Sequence, residues 1–175
     1  MDRTARIGAM MEALEKQILL LDGAMGTMIQ GHGLTEQDYR GDRFADWSSD
    51  LKGNNDLLSI TRPQVIRSIH RQFLEAGADI IETNTFNANA PSMSDYGMES
   101  LVGEINAVSA RIAREVADEY AAATGVPRFV AGVLGPAIRT AWISPDVIDP
   151  GYRTFTFQGL AVSFEVGATA RIDGG

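Results

Sequence analysis

Polar residues follow an apolar run near the start of the sequence, and their types suit recognition of a charged small molecule. Residues 18–21 are all apolar, and Asp22, Gly23 and Gly26 come after them. Asp22 carries a carboxylate that can hold an ammonium group, and a glycine-rich backbone can present N–H groups to an anion. The alternative is a tight strand-to-helix turn in which Asp22 serves as a helix cap.

A denser polar group follows a second apolar run, over residues 82–87. It contains the carboxylate of Glu82, the amide of Asn84 and the hydroxyl of Thr85, with one more amide and one more hydroxyl. Such a polar density at the end of a strand suits the recognition of a small polar ligand. The alternative is a solvated loop built on Asx turns.

The remaining polar candidates carry weaker signals. Arg139 can pair with an anionic group, although a surface arginine is the simpler interpretation. Residues 54–56 favour loop capping. His32 and His70 have no partner at metal-ligand spacing. We therefore predict neither a catalytic residue nor a metal ligand in this chain.

The composition excludes several classes of function. The 175 residues include 15 basic and 23 acidic side chains, a net charge of −8, which argues against nucleic-acid binding. The absence of cysteine excludes disulfides, thiolate metal sites and a cysteine nucleophile within these residues. No stretch has the length of a signal-peptide core or a membrane span, so we expect a cytoplasmic protein without membrane contact.

Apolar spacing predicts helices that alternate with short strands, which implies parallel pairing of those strands. The strand at 18–21 should be buried on both faces, and a long excursion follows over residues 30–56. Thr61 should cap the next helix, which should end at Gly77, and Gly125 should end the long helix after it. The sequence predicts strands at 18–21, 78–84 and 128–134, and helices at 4–17, 61–76 and 98–123. The apolar spacing of residues 155–173 fits a helix or a strand, and the length of the segment favours a helix.

Several of these segments, in order, resemble one known family. Together they are similar to the homocysteine-binding domain of the cobalamin-dependent methionine synthase family, and the resemblance covers about residues 15–160. The long insertion at 40–58 favours this family over the homocysteine methyltransferases that use betaine or S-methylmethionine. The matching segments are residues 20–30, 40–47, 51–58, 77–87, 130–136 and 143–147.

The resemblance implies an α/β fold that is part of a (β/α)8 TIM barrel, with about three βα units after a leading helix. Residues 1–17 would form that N-terminal helix. Residues 18–175 would form the N-terminal part of the homocysteine-binding barrel domain and stop before the fourth strand. Residues 137, 138 and 142 depart from the family pattern.

The resemblance also implies a substrate and cofactors. Asp22 and Gly23 would hold the amino-acid end of homocysteine, while Glu82, Asn84 and Thr85 would line its pocket. In the full-length family, three cysteines hold a zinc ion that deprotonates the homocysteine thiol, and methylcobalamin then supplies the methyl group that gives methionine. Since this chain lacks cysteine, we expect it to bind neither cofactor and to be inactive alone.

Two alternatives belong to other classes of function. The chain could be a non-catalytic remnant, or a half-barrel module that acts only by pairing with the missing barrel half, with the cobalamin and folate domains, or with itself. An unrelated barrel-type aldolase or isomerase is a weaker alternative. No lysine lies at a candidate strand end, which counts against a Schiff-base mechanism.

Overall fold

The structure is a computed structural model that describes residues 2–135. Helices dominate it, and a small parallel sheet lies among them. This mixture confirms the predicted α/β class. The α-helices are α1 (Arg3–Lys16), α2 (Met25–Gly31), α3 (Glu36–Arg40), α4 (Leu58–Thr61), α5 (Pro63–Glu75), α6 (Ala90–Met93) and α7 (Val102–Thr124). Short 3-10 helices cover Asn55–Leu57, Ser94–Tyr96 and Glu99–Leu101.

The leading helix forms where the apolar spacing predicts it. Asp2 caps α1 by accepting a 2.8 Å hydrogen bond from the Ala5 N–H. The apolar positions that gave the prediction are nevertheless half exposed, at 48% for Ile7, 54% for Met11 and 49% for Leu14. The helix therefore presents an apolar face that the described residues do not cover.

The sheet contains two strands, β1 (Ile80–Glu82) and β2 (Phe129–Ala131), which pair in parallel with Ile81 opposite Val130. Both fall inside the predicted segments and are shorter than predicted. Leu21 forms a parallel bridge with Ile80. Three neighbouring segments thus run in the same direction in chain order.

The predicted strand at 18–21 is wrong in extent and in burial. Only an isolated bridge forms at Leu21, and the exposed fractions are 86% for Ile18 and 56% for Leu20. The segment pairs with β1 on one side, and no described strand pairs with its other side. Burial on both faces needs neighbours there, which a local sequence pattern cannot supply.

Helices α5 and α7 pack against each other and against the sheet. The predicted cap of α5 is wrong, because Thr61 ends α4 and the capping position is Arg62. The predicted stops are confirmed: Gly77 and Gly125 have φ angles of +108° and +72°, which favour glycine. Ile66 and Ile69 on α5 are fully buried, as the periodicity predicts.

The predicted excursion over residues 30–56 is an ordered part of the core. Tyr39, Phe44 and Leu51 from this stretch are buried with Ile66 and Ile69. The Arg40 guanidinium fixes its path by donating to several backbone carbonyls, those of Trp47 at 2.6 Å and Ser49 at 3.0 Å among them. The Glu36 carboxylate also accepts from the Leu51 and Lys52 N–H groups, so side-chain hydrogen bonds as well as packing hold the excursion.

No helix in residues 2–135 has both the length and the apolar character required to cross a membrane. The predicted helix at 155–173 lies outside the described residues, and the predicted strand at 128–134 ends early, at Ala131.

Candidate functional site

A pocket of about 340 Å³ opens where β1 and β2 end and where the Leu21 bridge gives way to α2. Parallel α/β folds place their ligands at this edge of the sheet. All five predicted site residues line it, and so do residues that the sequence pattern did not single out. The lining residues are Asp22, Gly23, Ala24, Met25, Gly26, Asn55, Asp56, Glu82, Thr83, Asn84, Thr85, Phe86, Asn87 and Val133.

Asp22 is fixed by the backbone of the neighbouring strand. Both of its carboxylate oxygens lie 3.1 Å from the Glu82 backbone nitrogen, which donates to them. Burial raises the pKa of Asp22 from 3.8 to about 6, the Glu82 N–H opposes this shift, and the Glu82 charge adds to it. The alternative role as a cap is wrong, because α2 has no side-chain cap.

Asp56 lines the pocket, a position that the sequence did not predict, since residues 54–56 favoured loop capping. It is 3% exposed, and its carboxylate accepts a 2.6 Å hydrogen bond from the Asn87 N–H. Burial raises its pKa from 3.8 to about 7. The capping interpretation of this loop is correct for Asn54, which accepts from the Leu57 N–H at 3.4 Å. The sequence signal for Asp56 is its place in the polar cluster of residues 54–56, at the end of the long excursion.

Three carboxylates therefore line one pocket, and none of the described lining residues is basic. Glu82 lies close enough to Asp22 for its charge to raise the pKa of Asp22. The side chains of Asp22, Asp56 and Glu82 form no ion pair with a basic residue of the described chain. The carboxylates of the pocket can attract a cationic group, and residues 2–135 place no basic side chain there.

The predicted backbone cradle is open to solvent. Gly23 and Ala24 are exposed, and a Cβ added at Gly23 would meet nothing within 4 Å. Gly23 thus leaves its backbone accessible from the pocket. Space around Gly26 is narrower, because a Cβ there would lie 3.8 Å from the Asn55 side-chain nitrogen.

Asn84 and Thr85 lie at the pocket but direct their hydrogen bonds into the protein. The Asn84 amide donates to the Asn55 carbonyl at 2.8 Å and to the Ser59 hydroxyl at 3.2 Å. The Thr85 hydroxyl donates to the Val133 carbonyl at 3.0 Å. Both residues are buried, so the alternative of a solvated loop is wrong for residues 83–85, whereas Phe86 and Asn87 are exposed. These side chains shape the wall of the pocket.

The other candidates lie away from the pocket or outside the description. His70 is fully buried, and burial lowers its pKa to about 4, so that it is neutral. Within residues 2–135, no group of His, Cys, Asp or Glu side chains is placed to hold a metal ion. Arg139 and residues 137, 138 and 142 lie outside the described residues.

A known protein family matches the part of the chain that contains the pocket. Residues 19–175 match the family model described as homocysteine S-methyltransferase. The chain belongs to the homocysteine S-methyltransferase family. Since the match includes every residue of the pocket, the strand-end site lies within the part of the chain that matches the family.

Solved structures of one family member are similar to the chain. The oxidized form of the homocysteine methyltransferase MmuM from Escherichia coli is 27% identical, with a TM-score of 0.56 over 70% of this chain. The metallated form is 24% identical, with a TM-score of 0.57 over 73% of this chain. The chain covers 39% and 41% of those two proteins, so it spans less than half of their length.

Proposed function

We propose that the pocket binds homocysteine and that its carboxylates receive the α-ammonium group. The observation that carries this proposal is the presence of Asp22, Asp56 and Glu82 around one pocket whose described lining contains no basic residue. An ammonium group offers three donors and one positive charge, which compensate buried carboxylates. The exposed backbone at Gly23 is then available to the other end of the amino acid.

Within this proposal the five predicted residues have two kinds of role. Asp22 and Gly23 contact the amino-acid end of homocysteine, and Glu82 adds charge beside the ammonium group. Asn84 and Thr85 position the wall, since their polar atoms already bond within the protein. Asp56 joins the ammonium-binding group because it lines the same pocket and is buried without a basic partner.

We further propose that the chain is the first part of a methionine-synthase-type domain, with methylcobalamin as methyl donor. The sequence resemblance at residues 40–58 supports this choice of donor. The parallel order of Leu21, β1 and β2 supports the start of a (β/α)8 barrel over residues 18–175, with residues 1–17 as its leading helix. Homocysteine, the remaining barrel strands and the cobalamin and folate domains are the proposed partners.

The zinc of the family does not fit the residues of this chain. The resemblance implies three cysteine ligands, and the sequence contains no cysteine. The described carboxylates do not form a metal-binding group either. We therefore expect no methyl transfer by this chain alone. A methyl-transfer assay with zinc, methylcobalamin and homocysteine tests this, and turnover by the chain would contradict it.

The binding proposal is tested by calorimetric titration of homocysteine into the 175-residue chain. We expect Asp22→Asn to weaken binding by about tenfold or more, because a charge-assisted hydrogen bond is lost. Asp46→Asn, at an exposed position, serves as the matched control and should leave binding unchanged. 4-Mercaptobutyrate, which lacks the ammonium group, should bind weakly to the natural chain and to the Asp22→Asn variant. Equal affinity for the two ligands would overturn the proposal.

A second candidate, a module that pairs with another chain, rests on the apolar edge at residues 18–21. Ile18, Leu20 and Leu21 are more than half exposed, next to the half-exposed apolar face of α1. An exposed apolar sheet edge of this kind favours association. Light scattering after size-exclusion chromatography tests the candidate. A monomer at all concentrations, with a cooperative melt, would count against it.

A further inference from the structure

A second pocket, of about 220 Å³, lies at the opposite end of β2 from the first. Its described lining includes three arginines from three elements: Arg6 on α1, Arg114 on α7 and Arg128 immediately before β2. The lining includes one acidic residue, Asp118. In a chain of net charge −8, this is a local concentration of positive charge, remote from the acidic pocket.

Contacts link two of the guanidinium groups to each other and to the backbone of Arg128. Asp118 bridges two of them, with one oxygen 2.9 Å from Arg114 Nη2 and the other 3.6 Å from Arg6 Nη2. Arg114 Nη2 also donates to the Arg128 carbonyl at 3.1 Å. A carboxylate therefore already occupies the space between two arginines, which shows that the pocket accepts an anionic group.

Arg128 is the most firmly positioned of the three. Its Nη1 atom lies 3.0 Å from Asp79, and the two side chains are 13% and 14% exposed. Its guanidinium also lies 5.6 Å from the centre of the Tyr120 ring. Positioning before a ligand arrives reduces the entropy lost on binding.

The donors of this cluster exceed the acceptors that the described residues provide. The Nε atoms of Arg6, Arg114 and Arg128 are buried without a hydrogen-bond partner. Three guanidinium groups meet two carboxylates, Asp118 and Asp79, which leaves one positive charge uncompensated. Unpaired charged donors are costly when buried, so an added oxyanion would be stabilising here.

We propose that this pocket binds a phosphate group, free or carried by a small metabolite. Guanidinium groups match the geometry of phosphate oxygens, and a tetrahedral anion can contact arginines that approach from three elements. The exposed Asp118, at 52%, occupies the site in the absence of ligand and can turn towards solvent. The proposal is independent of homocysteine binding, because the two pockets lie at opposite ends of β2.

Calorimetric titration with inorganic phosphate, against potassium chloride at equal ionic strength, tests the proposal on the 175-residue chain. Glycerol phosphate in a parallel titration distinguishes a free from an esterified phosphate. We expect saturable binding by the natural chain. Arg114→Gln should weaken it by about tenfold or more, since a charged hydrogen bond is lost. Asp118→Asn should strengthen it, because a competing carboxylate is removed.

Arg71→Gln is the matched control, since Arg71 pairs with Glu119 on the surface and does not line the pocket. It should bind phosphate like the natural chain. Circular dichroism checks that Arg114→Gln is folded. If it is not folded, Asp118→Asn still tests the proposal, because this change at an exposed position should strengthen phosphate binding. No saturable binding, or equal affinities in all variants, would overturn the proposal. Homocysteine added first should not alter phosphate binding.

Discussion

The carboxylate of Asp22 accepts a hydrogen bond from the Glu82 backbone N–H, whose nitrogen lies 3.1 Å from each carboxylate oxygen. Immediately before this point, the same two segments pair through their backbones, with Asp22 N–H donating to the Ile80 carbonyl at 2.9 Å. A side chain thus continues the parallel pairing where the backbone ladder ends. The result is a half-buried carboxylate fixed at the mouth of the pocket.

This arrangement predicts that homocysteine affinity depends on pH. Burial raises the pKa of Asp22 to about 6, and an ammonium group binds the ionised carboxylate best. Affinity should therefore rise as the pH increases through about 6, by up to about tenfold per pH unit below that value for one released proton. Titrations between about pH 5 and pH 7, in buffers of different ionisation heat, measure the affinity and the number of protons released on binding.

Asp22→Asn is the companion variant for this pH dependence. Its weaker binding should lose the part of the pH dependence that Asp22 causes, because the amide has no proton to release. An unchanged pH profile in this variant would assign the dependence to another group. Asp56 lines the same pocket with a pKa raised to about 7, so the double variant with Asp56→Asn separates the two contributions.

The burial of Asp56 predicts a conflict between stability and ligand binding. Its pKa is about 7 in the folded chain against an ordinary 3.8, so between these values the folded chain keeps a proton that the unfolded chain loses. The contribution of this group to stability is thus complete below about pH 4 and falls as the pH rises to about 7. The cause is burial, which disfavours the ionised form of the carboxyl group and so raises its pKa.

Asp56→Asn removes that charge and keeps an acceptor for the Asn87 N–H. We expect a higher free energy of unfolding at about pH 8, by at most about 4 kcal/mol, and little change at about pH 4. Urea denaturation at both pH values measures it, with the exposed Asp46→Asn as control. Homocysteine affinity should fall in the same variant. A loss of stability at the higher pH would contradict this account.

Two threonine hydroxyls join the ends of β1 and β2 in a closed ring. The Val133 N–H donates to Thr83 Oγ1 at 3.0 Å, and Thr85 Oγ1 donates to the Val133 carbonyl at 3.0 Å. The hydroxyls lie 2.7 Å apart, and Thr83 must be the donor between them because the Thr85 proton is already used. The ring carries the strand pairing past Ala131.

Breaking the ring should cost about 1–3 kcal/mol, because buried groups lose their partners. Thr85→Val keeps the shape of the side chain and removes its donor and acceptor. Thr124→Val, where an exposed hydroxyl donates to the Tyr120 carbonyl, is the control and should cost less. In a thermal or urea unfolding cycle, Thr83→Val and Thr85→Val should be non-additive. Strict additivity would mean that the hydroxyls act separately.

The sequence predicted what local spacing controls. Apolar periodicity located α5 and α7. Gly77 and Gly125, which have positive φ angles, mark where these helices end. Position after a strand identified Asp22 and Glu82, because parallel strands bring their carboxyl ends to one edge. For the two helices, the sequence signal and the structure that it predicts lie within a few residues of each other.

The failures concern long-range packing. Asp56 was missed because its contact with Asn87, 31 residues away, depends on how a long excursion folds back. Burial of Ile18 failed for a related reason, since it depends on neighbours distant in sequence. The partner of the Thr85 hydroxyl is likewise distant in sequence, since it donates to the carbonyl of Val133, 48 residues away. Spacing shows that a polar group is present, and only the fold shows where it points.

The last prediction concerns Gly135, where the chain after β2 passes against the pocket wall. A Cβ added at Gly135 would collide with the carbonyl oxygen of Phe86 and lie 2.9 Å from its carbonyl carbon. The obstacle is backbone, which cannot rotate away as a flexible side chain can. Phe86 lines the candidate site, so a shift there reaches the ligand.

Gly135→Ala should therefore destabilise the chain by about 1–3 kcal/mol, the usual cost of overpacking, and weaken homocysteine binding. Gly132→Ala is the matched control, because a Cβ at Gly132 would meet nothing within 4 Å. Neither glycine has a positive φ, so the comparison isolates the steric effect. Urea denaturation and homocysteine titration of both variants measure it. Equal behaviour of the two would show that the contact between Gly135 and Phe86 does not constrain the pocket.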